Sequence, residues 1–204
     1  MTATQVRPGF VSDTRSGNPF ARPGAIPPLD GRGRPLDLTT LATRLRRLGA
    51  AAIEGPHGHG KTTLLVALAE TCGAAGVPVN VVRVRSWRDA LAVGAALRGL
   101  PPGGLACVDG WESLGPVRGP LRLAARLLGR RLLVTSHGPE ALPVLRRCRT
   151  TPALLRAVVA RLPARAGRIA DEEVDEAFRR HAGNVRDALF DLYDRFERRG
   201  RQPA

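Results

Sequence analysis

Lysine is almost missing from this chain. Of 204 residues, 32 are cationic and only one of them, Lys61, is a lysine. That scarcity excludes the N-K-x-D guanine-reading motif and a phosphate loop with an additional leading lysine. It also excludes a protein kinase, which needs a strand lysine beside a different glycine-rich loop. Cysteine is scarce as well: Cys72, Cys107 and Cys148 are odd in number and never spaced C-x-x-C. A disulfide framework or structural zinc site is therefore not expected, and a reducing compartment is. Aromatic residues make up only 4%. No apolar run approaches the roughly 18 residues of a membrane span. The opening MTATQVRPGFVSD has no apolar stretch of the kind a secretory signal carries, so the expected location is cytoplasmic and no membrane partner is expected.

What is abundant is arginine. The formal net charge of +14 invites a nucleic-acid reading. The arginines, however, are spread along most of the chain rather than gathered in one tract, as a genome-wide preference for Arg over Lys would leave them. A solvated basic surface is the favoured reading, and nucleic acid the less favoured one. In such a background the lone lysine marks a place where a planar guanidinium does not serve and a compact ammonium does. A narrow loop wrapped on a phosphate is such a place.

The length allows one α/β domain and a small appendage, and 43% hydrophobic with 25% charged residues is a globular composition. Residues 1–36, rich in Pro, Gly and Arg, read as extended or partly disordered. Asp37 caps a predicted helix Leu38–Leu48 that Gly49 stops. A strand at Ala50–Glu54 follows, then a helix over 62–75, a strand over 77–85, a helix over 87–97 and a strand Leu105–Asp109. A helix over 120–128 and a strand over 131–135 complete the alternation, which predicts a parallel sheet flanked by helices. After residue 150 only helices are expected, the first opened by Thr151–Pro152, the others over 170–182 and 184–199. The expected division is an α/β core over 37–150, a helical region over 151–199 and a tail over 200–204.

Gly55-Pro56-His57-Gly58-His59-Gly60-Lys61-Thr62 fits G-x-x-x-x-G-K-[ST], placed between a strand and a helix as the mechanism requires. Backbone N–H groups and the helix N-terminus would cradle phosphates, with Thr63 following in the first turn. Lys61 would reach the β- and γ-phosphates, and Thr62 would hold Mg²⁺. Leu105-Ala106-Cys107-Val108-Asp109 is an apolar strand ending in a carboxylate, the form of the second metal-holding element. Glu112, three residues on, is a candidate to deprotonate water, or an ordinary loop glutamate. Thr135 and Ser136 end a strand at the edge where ligands sit in open α/β sheets; Ser136 or Thr135 would meet the γ-phosphate, or form a strand-ending turn. His57 and His59 read as loop-surface residues and His181 as a helix-end residue.

These residues resemble the AAA+ group of P-loop ATPases over roughly residues 37–199. Gly183-Asn184-Val185-Arg186-Asp187-Ala188-Leu189 is similar to that group's lid motif G-N-x-R-[DE]-x-L. The resemblance implies a sensor 1 role for Thr135 or Ser136, and a γ-phosphate contact (sensor 2) for Arg186. Arg146, Arg147 and Arg149 fall where the family often places an arginine finger for a neighbouring subunit. The pattern departs from the family in having Gly110 after Asp109, where the group has glutamate. Asn184 and Asp187 also form a helix-capping pair. The expectation is a small ATPase that binds and hydrolyses ATP with Mg²⁺, with a homo-oligomer or a protein as possible partner. The alternatives are a non-hydrolysing switch or assembly factor, a DNA-dependent ATPase and a small-molecule P-loop kinase.

Overall fold

Short aliphatic runs, too apolar to face water on either side, become the three central strands of a five-stranded sheet, with more exposed strands at its two edges. The computed structural model describes residues 26–162 and 169–200. The strands are β1 (Ala50–Glu54), β2 (Val79–Arg83), β3 (Leu105–Asp109), β4 (Arg131–Ser136) and β5 (Val144–Arg147). Their order is β2-β3-β4-β1-β5 and every pairing is parallel. In β3 and β4 nearly every residue is buried, as a sheet covered on both faces demands.

Alternation along each strand divides the core. Ala52, Ala106, Val108, Leu132 and Val134 pack with Val93, Leu97, Trp111, Leu114 and Ala125. These come from α3 (Ala90–Gly99), α4 (Arg118–Leu127) and the 3-10 turn Trp111–Val117 between β3 and α4. The intervening residues Ala51, Ile53, Cys107 and Leu133 are equally buried, on the face of α1 (Leu38–Leu48) and α2 (Lys61–Ala74). Helix α2 turns Leu64, Leu65, Leu68 and Cys72 inward. The three cysteines are unpaired.

Two expectations change in this unit. The helix expected over 87–97 is broken at Asp89, whose carboxylate accepts from the backbone N–H of Arg85 (2.7 Å) and Ser86 (3.0 Å). A 3-10 turn Trp87–Asp89 therefore precedes α3. Strand β5 was not expected, because Val-Leu-Arg-Arg after Pro143 carries no clear period.

The chain divides into two compact units. Asp37–Cys148 is the sheet unit, and the described residues of Met1–Leu36 and Arg149–Ala204 form the other. In the second, α5 (Pro152–Val159), α6 (Asp171–Arg180) and α7 (Val185–Gly200) enclose Leu155, Val174, Ala177, Ala188, Leu189 and Leu192. Residues 26–36 make a turn in which Asp30 accepts from the backbone N–H of Arg32 (2.8 Å) and Arg34 (2.9 Å), with a bridge between Leu29 and Pro35. The reading of residues 1–25 and 201–204 lies outside the described residues.

Candidate phosphate-binding site

Strands β1, β3 and β4 end side by side, and the loop Gly55–Gly60 leads from the first of them into α2. Gly60 is the N-cap of α2 in the left-handed region (φ 81°) and offers no side-chain oxygen to the first turn. The helix N-terminus is thus left for an outside acceptor. Pro56 and His57 are exposed, Gly58 and His59 half-buried, and Thr63 is exposed in the first turn of α2. His59 Nδ1 lies 2.8 Å from the His57 carbonyl and fixes the loop's turn.

Lys61 is 7% exposed. Its ammonium donates to the carbonyls of Gly55 (2.6 Å) and Pro56 (2.7 Å), so the loop curls around its own cation. Burial pushes its pKa down, opposed by Glu112, Cys148 and Asp109. The Thr62 hydroxyl is 3.0 Å from both oxygens of Asp109. Asp109 also accepts from Thr135 Oγ1 (2.7 Å) and pairs with Arg83 Nε (3.4 Å). Thr135 in turn accepts from the Gly110 N–H (2.9 Å), so its hydroxyl locks the end of β3 to β4.

Gly110 follows Asp109 for a physical reason. Its φ is +90°, and a Cβ there would lie 2.5 Å from the Val84 carbonyl. The nearest following carboxylate is instead Glu112, carried on a turn that the buried Trp111 and Leu114 hold against the core. Glu112 Oε1 pairs with His137 Nδ1 at 2.5 Å. Its Oε2 is buried and has no partner among the described residues. The His137 ring lies against His57, centroid to centroid 3.6 Å with planes 31° apart. Burial, and next the nearby Lys61, lower the His137 pKa, against the pull of Glu112.

Ser136 is 1% exposed, and its hydroxyl donates to Gly138 O (3.0 Å) and Glu140 Oε1 (3.1 Å). Glu140 also pairs with Arg118 (2.6 Å). Its backbone N–H donates to Glu54 Oε1 (3.3 Å), and Arg147 Nε holds Glu54 Oε2 at 3.2 Å. Arg147 thus has a partner within its own chain, and Arg146 lies in β5 opposite Ile53. In the helical unit, Asn184 Oδ1 accepts from the Asp187 N–H (3.2 Å) and caps α7. Arg186 is exposed, its guanidinium 6.0 Å from the Phe190 ring centroid.

The sheet brings together Lys61, Thr62, Asp109 and Glu112, all singled out from sequence. It adds Arg83 and His137, which the motifs did not select. Arg83 stands opposite Asp109 in the β2–β3 register, so only the strand order could have found it. The donor set suits a phosphate with a divalent cation: an ammonium, an uncapped helix N-terminus, and a hydroxyl against a carboxylate.

No protein-family model matches the chain, and no curated protein is significantly similar to it in sequence. Solved structures are. The Holliday junction branch migration motor RuvB of Thermotoga maritima has a TM-score of 0.54 and 19% identity, over 76% of this chain and 58% of that one. The replication initiator DnaA, solved bound to AMPPCP and single-stranded DNA, has a TM-score of 0.52 and 16% identity, over 79% of this chain and 63% of that one. This chain therefore spans less than two thirds of the length of these proteins. At such identity the likeness establishes the fold, a parallel sheet flanked by helices with helices C-terminal to it.

Proposed function

We propose that this protein is an ATPase of AAA+ type, with ATP bound at Gly55–Thr63 and the helices over 151–199 acting as its lid. The observation that carries this reading is the meeting of Lys61, Thr62 and Asp109 at the N-terminus of α2. Lys61 exchanges the Gly55 and Pro56 carbonyls for β- and γ-phosphate oxygens, which are stronger partners for an ammonium because they are charged. Thr62 and Asp109 would hold Mg²⁺, which neutralises charge on the phosphate oxygens. Glu112, with one buried carboxylate oxygen unengaged, takes the proton of the attacking water. Arg186, in the first turn of α7, reports the nucleotide's state to the lid.

The test is phosphate release with Mg²⁺ and ATP. Wild type turns over, and Glu112→Gln keeps ATP binding while losing on the order of 100-fold in rate, the scale of a general base. Binding without turnover in wild type would replace this reading with that of a nucleotide switch. A DNA-dependent ATPase is the second reading, favoured by the +14 charge and by a fold shared with a branch migration motor and a DNA-bound initiator. Turnover measured with and without DNA separates the two.

A further inference from the structure

We infer that His137 is the positioning residue of this site, holding Glu112 and tying its place to the phosphate loop through the ring of His57. The inference rests on the reading of Glu112 as the base. Strand β4 offers three polar side chains at its end. Two are committed elsewhere: Thr135 to Asp109, Ser136 to Gly138 and Glu140. The third, His137, meets both the turn that carries Glu112 and the loop that carries His57.

An ionised carboxylate only accepts, so at 2.5 Å the proton between Glu112 Oε1 and His137 Nδ1 starts on the imidazole. That bond fixes the tautomer and aims the carboxylate, as second partners do for reacting groups. The far side of the ring rests on His57, within the phosphate loop and four residues before Lys61. A loop that releases the Lys61 ammonium to a phosphate also moves His57, and so changes the surface against which His137 packs. Occupancy of the loop is thereby transmitted to Glu112 without a contact between them. The titratable groups that act on His137 are Lys61, Glu112, His57 and Asp109, of which Glu112 and His57 touch it.

Three substitutions at His137 separate positioning from mere packing. His137→Ala lowers kcat about 10-fold, the scale of losing a group that orients another, with KM for ATP changed less than about 2-fold. His137→Asn, whose amide nitrogen branches where Nδ1 does, recovers most of the rate; His137→Gln does not. The second readout is independent of turnover. The chain has four histidines, so their imidazole NMR signals are few enough to follow one by one. Saturation with ADP shifts His57 and His137 together, and in His57→Ala the His137 response is lost. Wild-type kcat in His137→Ala, beside a slow Glu112→Gln, would overturn the positioning role. His137 signals indifferent to ADP would overturn the coupling, whatever the outcome for Glu112. Unchanged turnover in Glu112→Gln would instead strike at the reading of Glu112 itself, and is distinguished from both by that variant alone.

Discussion

The two units use arginine in different ways. In Asp37–Cys148, fourteen arginines and Lys61 face only seven carboxylates, and several guanidiniums settle on backbone carbonyls. Arg44 donates to Val144 O (3.2 Å) and Leu145 O (3.3 Å), Arg122 to Ala141 O (2.5 Å) and Arg130 to Leu97 O (3.3 Å). In the helical unit several arginines meet acids. Arg156 grips both oxygens of Asp175 (2.8 and 2.6 Å), and Arg195 both oxygens of Asp191 (3.0 and 3.1 Å) with Glu176 at 2.9 Å. Arg199 pairs with Glu173 at 2.5 Å. Four of the sheet unit's seven carboxylates, Glu54, Asp109, Glu112 and Glu140, lie at or just beyond the ends of β1, β3 and β4. Of these, Asp109 and Glu112 lie near Lys61, while Glu54 and Glu140 pair with Arg147 and Arg118; the acids of α6 brace helices.

The comparison predicts opposite phenotypes for similar changes. The largest effect is that of Glu112→Gln on turnover, without loss of fold. Next is Arg195→Ala. Arg195 is 15% exposed and bound by two acids whose hydrogen bonds push its pKa up. Its loss should destabilise α6 and α7 by about 1–3 kcal/mol, the scale of hydrogen bonds to charged groups. Arg122→Ala in the sheet unit should stay within about 0.5 kcal/mol. Segment-resolved hydrogen exchange reads both, and equal losses in the two variants would erase the distinction.

A smaller effect is expected from acid. Hydrogen bonds from Arg199 to Glu173, from Arg156 to Asp175, and from Arg195 to Glu176 and Asp191 hold these carboxyls below their ordinary values of 4.5 and 3.8. Their contribution is whole above those values and is lost as pH falls through the lowered ones. Amides of α6 and α7 should therefore lose protection below about pH 4 while β1, β3 and β4 keep theirs. Simultaneous loss in both would contradict the assignment of this acid sensitivity to the helical unit.

The loop between β1 and α2 was legible in the sequence because it is local: eight consecutive residues carry the glycines, the ammonium and the hydroxyl. The helical tail was legible too, since Val185, Ala188, Leu189 and Leu192 repeat at helical spacing and pack into one core. Strand β5 was not, with only Leu145 of its four residues buried. The bonds of Asp109 to Arg83 and Thr135, and of Glu112 to His137, span 25 residues or more and exist because β3 lies between β2 and β4. No local pattern encodes that order. The glycine at 110 looked like a defect in a motif. The structure gives it a cause in the Val84 carbonyl, and Glu112 is the next carboxylate along the chain.

The account stands or falls on the one lysine. Calorimetric titration of ATP with Mg²⁺ into wild type and into Lys61→Ala tests it most directly. Saturable binding by wild type, weakened at least about 10-fold in a variant of unchanged fold, is the predicted result, the scale of one or two charge-assisted hydrogen bonds. Equal affinity in the two proteins, or no binding by wild type, would contradict it.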